Sequence, residues 1–363
     1  MAAADYDGDG AIDLFVGGRV EPWRYGVSPR SLLLRNDGRG RFTNVIAERA
    51  PALERVGMVT DGCWRDVDGD GRLDLIVVGE WMPITVFRNV GSGRLERLAV
   101  PGLDKSDGWW TRIVAGDFTG DGRVDFIVGN AGTNGGLRAS ATEPMTMVVK
   151  DFDENGAFEQ ILTTSSQGRR QIVSLRDDLL RALPRLSARF PTYASYAGAS
   201  LEQVFSPTEL GNAVVRHTYT FATTLVRNDG GGRFALVPLA DEAQLAPVLG
   251  ILATDVDGDR HVDLLMAGNF DGFRPEIGGM VSSFGLLMRG DGKGGFAPSR
   301  AGESGFSVPG QARDIQRVRT AAGDMYLVSR NNDRPLLFRP RRAPSRLAGA
   351  SEAARAAAPR GAR

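Results

Sequence analysis

Short apolar runs closed by glycine recur along this chain. They are Leu14-Phe-Val-Gly17, Leu75-Ile-Val-Val-Gly79, Phe126-Ile-Val-Gly129 and Leu264-Leu-Met-Ala-Gly268. Their length, lack of a polar alternation and β-branched content predict strands buried on both faces. Downstream of the runs a second signature appears, in Leu34-Arg-Asn-Asp-Gly-Arg-Gly-Arg-Phe42, Phe87-Arg-Asn-Val-Gly-Ser-Gly-Arg-Leu95, Val226-Arg-Asn-Asp-Gly-Gly-Gly-Arg-Phe234 and Met288-Arg-Gly-Asp-Gly-Lys-Gly-Gly-Phe296. Each reads as strand, glycine-rich hairpin, strand.

Ahead of every apolar run stands an acidic loop. Asp5, Asp7, Asp9, Ala11 and Asp13 occupy alternate positions of the first, and Asp66, Asp68, Asp70, Arg72 and Asp74 those of the second. The third has Asp117, Thr119, Asp121, Arg123 and Asp125, and a weaker fourth has Asp151, Asp153, Asn155, Ala157 and Glu159. Asp255, Asp257, Asp259, His261 and Asp263 form the last. Oxygens at positions 1, 3 and 5, a glycine at 6, a backbone carbonyl at 7 and a closing carboxylate are the donor set of a Ca²⁺ loop. Several structural Ca²⁺ ions, up to five, are therefore expected.

An EF-hand would need a bidentate Glu at position 12 and flanking helices. Those positions hold Val16, Val77, Val128 and Met266, inside the apolar runs. The loops therefore mark strand pairs. A unit of strand, acidic loop, strand, connection and hairpin has the content of a propeller blade. Units start near Asp5, Asp66, Asp117, Asp151 and Asp255, with a sixth, lacking an acidic loop, over Ala312–Phe338. The expectation is an all-β chain, a β-propeller of six to seven blades over residues 1–340. Met1-Ala-Ala-Ala leaves no room for a strand before the first loop, so an upstream portion is expected.

The copies are unequal. Thr119 replaces a carboxylate, and Asn155 and Glu159 depart from aspartate, which predicts weaker binding there. Arg260 stands where the turn glycine belongs, and a positive φ on arginine costs roughly 1 kcal/mol. Leu175, Leu179, Leu183 and Leu186 at helical spacing predict a mainly helical insertion over about 170–213, with Phe190, Tyr193, Tyr196 and Phe205 packing it onto the ring. From Arg341 to Arg363 the chain is mostly Ala, Arg, Pro and Ser, with almost no large apolar residue, and predicts a disordered tail.

Composition narrows the picture. Forty-four basic and 44 acidic residues cancel, which argues against a nucleic-acid binder working through net charge. Cys63 is the single cysteine, so no internal disulfide forms and no zinc cluster exists. No run is long enough to span a bilayer, and the N-terminus has no signal-peptide pattern.

Together the loops, Gly79-Glu-Trp-Met-Pro83, Gly108-Trp-Trp110 and Gly129-Asn-Ala-Gly-Thr-Asn134 make the chain resemble the FG-GAP/VCBS-repeat propellers, which are integrin-α-like. Among these it is similar to the cartilage-acidic-protein-like bacterial group, without the ASPIC/UnbV segment. That resemblance implies an exported, periplasmic or cell-surface protein, monomeric, with structural Ca²⁺ and a surface that binds protein or carbohydrate. A non-enzymatic adhesion or scaffold module is the expected function. The competing reading is a glycan-active enzyme of polysaccharide-lyase type, with Trp81, Trp109 and Trp110 stacking on sugars. Against it, His217 and His261 are the only histidines and no nucleophile motif is present.

Overall fold

The structure is a computed structural model that describes residues 1–166, 168–272, 278–321 and 323–340. The tail expected from Arg341 onward lies outside the described residues.

Among the described residues there are six antiparallel sheets, and the chain is all-β in class. The first contains β1 (Ala2–Ala4), β2 (Asp13–Val16), β3 (Leu32–Asn36) and β4 (Phe42–Asn44). In the second, β5 (Met58–Arg65), β6 (Asp74–Met82), β7 (Thr85–Asn89) and β8 (Leu95–Leu98) lie in sequence order, and β9 (Gly108–Trp109) adds to the end of β6. The third begins with β10 (Arg112–Gly116) and β11 (Asp125–Gly129) and is then interrupted.

The interruption is itself a sheet, ordered β14-β13-β12-β15, made of β12 (Met145–Lys150), β13 (Glu159–Ser166), β14 (Arg169–Ile172) and β15 (Val214–Thr218). Only afterwards do β16 (Thr224–Gly230) and β17 (Arg233–Pro238) complete the third sheet, β16 pairing with β11. The fifth sheet holds β18 (Val248–Thr254), β19 (Asp263–Gly268), β20 (Leu286–Gly290) and β21 (Phe296–Ser299), and the sixth β22 (Ala312–Thr320), β23 (Gly323–Arg330) and β24 (Leu336–Phe338).

Burial on both faces explains the unbroken apolar runs. On β6, Leu75 and Val77 pack with Phe15 and Trp64 toward the first sheet, while Ile76 and Val78 pack with Trp110 and Phe126 toward the third. Ile127 then joins Leu264 and Met266, and Leu265 joins Ile315 and Val328. Five sheets thus stack face to face in series, as blades do, with the inserted sheet outside the series. The first strands converge on a centre. Arg112 of β10 reaches Asp61 of β5 at 3.4 Å and Asp314 of β22 at 2.8 Å, spanning three sheets.

Two expectations are corrected, and one strand pairing is added. Ala2–Ala4 does form a leading strand before the first loop, in register with Asp13–Phe15, because three residues suffice to pair with so short a β2. The hairpin at Arg227 closes the unit begun at Asp117, with the Asp151 unit nested inside it. Finally, the buried face of the helical segment packs on the inserted sheet. Leu179, Leu183, Phe190, Tyr196 and Phe205 are buried with Val148 and Ile161, whereas Tyr193 is exposed. Local amphipathicity predicts that such a face is covered, but the covering surface is set by long-range pairing. The segment consists of short helices, Arg176–Ala182, Tyr193–Tyr196, Leu201–Val204 and Pro207–Leu210, the last three each opened by a Thr or Ser capping box.

Candidate metal loops and an axial cavity

Each acidic loop joins the first and second strands of its sheet, so strands follow the loops where an EF-hand would place a helix. Within the loops position 1 organises the backbone. The Asp66 carboxylate accepts the amides of Gly69, Asp70 and Gly71 at 2.7, 3.2 and 2.8 Å, and Asp5 and Asp117 repeat this. Such a wrap requires positive φ at positions 4 and 6, met by Gly69 at 79° and Gly71 at 84°. Arg260 adopts the same region at φ 73°, as its position demands, and Glu154 does so at 59°.

Carboxylate oxygens of three residues come within 4.8 Å of one another in four loops: Asp5, Asp7 and Asp13; Asp66, Asp68 and Asp70; Asp151, Asp153 and Glu159; Asp255, Asp257 and Asp259. The Asp117 loop makes no such group among the described residues, consistent with Thr119 in place of a carboxylate. There Asp121 pairs with Arg123, as Asp70 does with Arg72. Asp9 lies in salt-bridge range of Arg35 and Asn155 donates to Asp153. The side chains of Ala11, Ala157 and His261 stand at loop position 7, where the backbone amide donates to the position-5 side chain.

Position 9 behaves differently from its neighbours. Asp74 is fully buried and accepts Val67 N–H at 3.1 Å and Asn89 N–H at 2.8 Å, tying the loop to the hairpin of its own sheet. Asp125 accepts Phe118 and Asn228 amides, and Asp263 accepts those of Val256 and Gly290. Burial raises the pKa of Asp74 and Asp263, and these backbone N–H donors oppose the rise. Asp13 accepts Asn36 N–H at 2.8 Å and is also approached by the Tyr6 amide, whereas Asp7 Oδ1 is buried without a hydrogen-bond partner among the described residues.

A guanidinium stands over three of the loops. Arg35 meets Asp7 and Asp9, Arg88 meets Asp68 at 2.8 Å, and Arg289 meets Asp257. All come from the Leu-Arg-Asn-type hairpin signature. In the third sheet, where Thr119 removes the partner carboxylate, Arg227 pairs instead with Asp229 of its own hairpin at 2.7 Å.

The opposite ends of the same strands build a cavity of 840 Å³. First strands run from the cavity to the acidic loops and second strands run back, so the ring's acidic loops and the cavity lie at opposite rims. Five sheets supply its floor: Arg19 after β2, Thr60 and Glu80 from β5 and β6, Thr111 before β10, Leu249 of β18 and Arg313 of β22. Met147, Gln160 and Leu162 of the inserted sheet, with Leu175 and Asp178 of the helical segment, roof it.

A continuous network lines one wall. Glu80 accepts Arg19 Nε at 3.2 Å and Nη2 at 2.7 Å on one oxygen and the Tyr25 hydroxyl at 2.9 Å on the other. Trp81 Nε1 donates to the Tyr25 oxygen at 3.2 Å. Burial, reinforced by the Glu80 charge, pushes the Tyr25 phenol well above its ordinary pKa. Trp81 has φ 56°, a left-handed conformation that costs a bulky residue roughly 1–3 kcal/mol and clusters at ligand sites. It packs against Trp109 at 5.2 Å between centroids. Trp81 is itself only 2% exposed, and Trp110 is fully buried between the second and third sheets. His217 and His261 lie outside the cavity lining.

Sequence reasoning located the loops and missed the cavity. The usable signal was the motif set Gly79–Pro83, Gly108–Trp110 and Gly129–Asn134, whose Glu80, Trp81, Trp109 and Ala131 line the cavity. Gly79 has no room for a Cβ, which would sit 2.1 Å from Met58 O, so the backbones there approach closely.

Residues 66–128 match the FG-GAP-like repeat family, a stretch that runs from the second acidic loop through the third to β11. This bears out the resemblance read from the loops. No curated protein matches the chain. One similar solved structure is an Agrocybe aegerita lectin, described as recognising non-reducing terminal N-acetylglucosamine. It has 15% identity over 93% of this chain and 79% of the lectin, with a TM-score of 0.32. Another is the V. cholerae biofilm matrix protein Bap1, with 14% identity over 81% of this chain and 37% of that one, and a TM-score of 0.29.

Proposed function

We propose that the protein is a calcium-stabilised, extracellular or cell-surface binding module that acts on protein or glycan ligands without catalysis. The observation that carries the calcium reading is the first loop. Asp5, Asp7 and Asp13 bring like charges within 4.8 Å, and the buried Oδ1 of Asp7 accepts no hydrogen bond among the described residues. Buried carboxylate oxygens are ordinarily satisfied, and a hard cation with oxygen ligands is the partner this donor set suits. The ligands would be the position 1, 3 and 5 side chains and the position 7 carbonyl, joined at position 9 by Asp13 and Glu159.

The ring's four loops join strands of the stack at the rim opposite the cavity, which favours a structural role for an ion there. Two features support the non-catalytic reading. The cavity wall holds no histidine or cysteine among the described residues, and its tyrosine is held protonated by burial and by Glu80, the wrong state for a lyase base.

Thermal unfolding in EDTA and in millimolar Ca²⁺ tests the calcium reading. At a hundredfold excess over Kd, each occupied site adds about 2.7 kcal/mol, so the melting temperature is expected to rise by several degrees and to fall again with chelator. Coincident curves would refute it.

A further inference from the structure

We propose that the axial cavity is a saccharide site that takes a short neutral oligosaccharide. This rests on the binding-module reading and specifies its ligand. Its 840 Å³ lies within the roughly 300–1,000 Å³ usual for small-molecule sites.

Three properties of the lining select the ligand class. First, among the described lining residues the charges match: Arg19 and Arg313 stand with Glu80 and Asp178, so these four exert little net pull on an anion or a cation. Second, hydrogen-bonding capacity is left over. Of five guanidinium N–H groups, Arg19 gives two to Glu80, and Arg313 gives two, to Asn269 O at 3.3 Å and Gln311 Oε1 at 2.7 Å. Glu80 accepts three bonds where a carboxylate has about four lone-pair sites. A hydroxyl both donates and accepts, so vicinal hydroxyls match adjacent arginine donors and a carboxylate acceptor. A purely apolar ligand would strip water from these groups without replacing its bonds.

Third, the aromatic surfaces are fixed in advance. Trp109 is held between Trp81, tilted 55° at 5.2 Å, and Phe221, edge-on at 5.0 Å. Tyr25 is anchored through Glu80 and Trp81, and Arg313 lies over the Phe270 ring at 5.9 Å. Preorganised rings can pack the C–H face of a pyranose without losing rotamer freedom on binding. Trp81, only 2% exposed, backs this wall and holds Trp109 in place.

The test is calorimetric and fluorescence titration of the full chain, in Ca²⁺, with cello-, manno- and N-acetylchito-oligosaccharides of two to four residues, beside oligogalacturonates and a mixed peptide library. At least one neutral series is expected to bind and to perturb tryptophan emission. Oligogalacturonates should bind at least tenfold more weakly. Glu80→Gln and Arg313→Met should each weaken binding about tenfold at unchanged melting temperature. Should one variant fail to fold, the other carries the test.

Silence of every neutral series, preference for uronates or peptides, or undiminished binding by the folded variants would overturn the proposal. A surviving Ca²⁺-dependent melting shift would then show that the calcium reading stands alone. Conversely, binding without any such shift would fault the calcium reading and support the site. Cleavage of a bound neutral oligosaccharide would support the site and overturn the non-catalytic reading.

Discussion

Replacing Asp74 by alanine separates two roles that a loop aspartate can have. The side chain is fully buried, and its two oxygens hold the amides of Val67 and Asn89 at 3.1 and 2.8 Å. Truncation leaves two buried donors without an acceptor, at about 1–3 kcal/mol each. Removing a desolvated charge returns part of that cost, since burial already raises the Asp74 pKa. The expected net loss is about 2–4 kcal/mol, a large share of the ~5–15 kcal/mol that typical domains have. Asp68→Ala is the contrasting perturbation. That side chain meets Arg88 near the surface at 2.8 Å, so its loss should cost under about 1 kcal/mol without calcium. Urea unfolding followed by tryptophan fluorescence, run in EDTA and again in Ca²⁺, reads both. Asp74→Ala should lower the midpoint in either condition, whereas Asp68→Ala should chiefly remove the second loop's share of the calcium-dependent gain. If Asp74→Ala is neutral in EDTA and harmful only with Ca²⁺, the ninth position is a metal ligand first and does not tie the loop to its hairpin.

Arg88→Gln should tighten calcium binding at the second loop, because the guanidinium competes with the ion for Asp68. Both groups are substantially exposed, at 44% and 27% of the side chain, so the gain is small, about 0.5–1 kcal/mol or two- to fivefold. Chelator competition would measure it, and a weaker site would contradict the competition argument. Burial pushes the Cys63 thiol up to about 12. At pH 8 the native thiolate fraction is then about 10⁻⁴, and iodoacetamide should label Cys63 only after unfolding in urea; rapid native labelling would refute this.

The acidic loops, the strands after them and the hairpins were all legible along the chain. Each is a local device: a few carboxylates wrap a few amides, glycines permit the turn, and an apolar run longer than any alternation announces burial on two faces. Even the odd φ of Arg260 follows from its place in the repeat. The alanines before Asp5 were harder to read, since three small residues have weak strand propensity and become a strand only because β2 offers its edge.

Tertiary structure decided what depends on pairing across long stretches. Whether the strand at Thr224 belongs with β11 or β12 cannot be told from either neighbourhood, because both are apolar edges of suitable length, and only packing nests one sheet inside another. That nesting roofs the axis and creates the cavity, whose walls come from residues as distant as Arg19 and Arg313. The division within the loops was settled the same way. Nine residues announce oxygen donors, but the hairpin amide that arrives from Asn89, Asn228 or Gly290 makes the ninth carboxylate a clasp between loop and sheet.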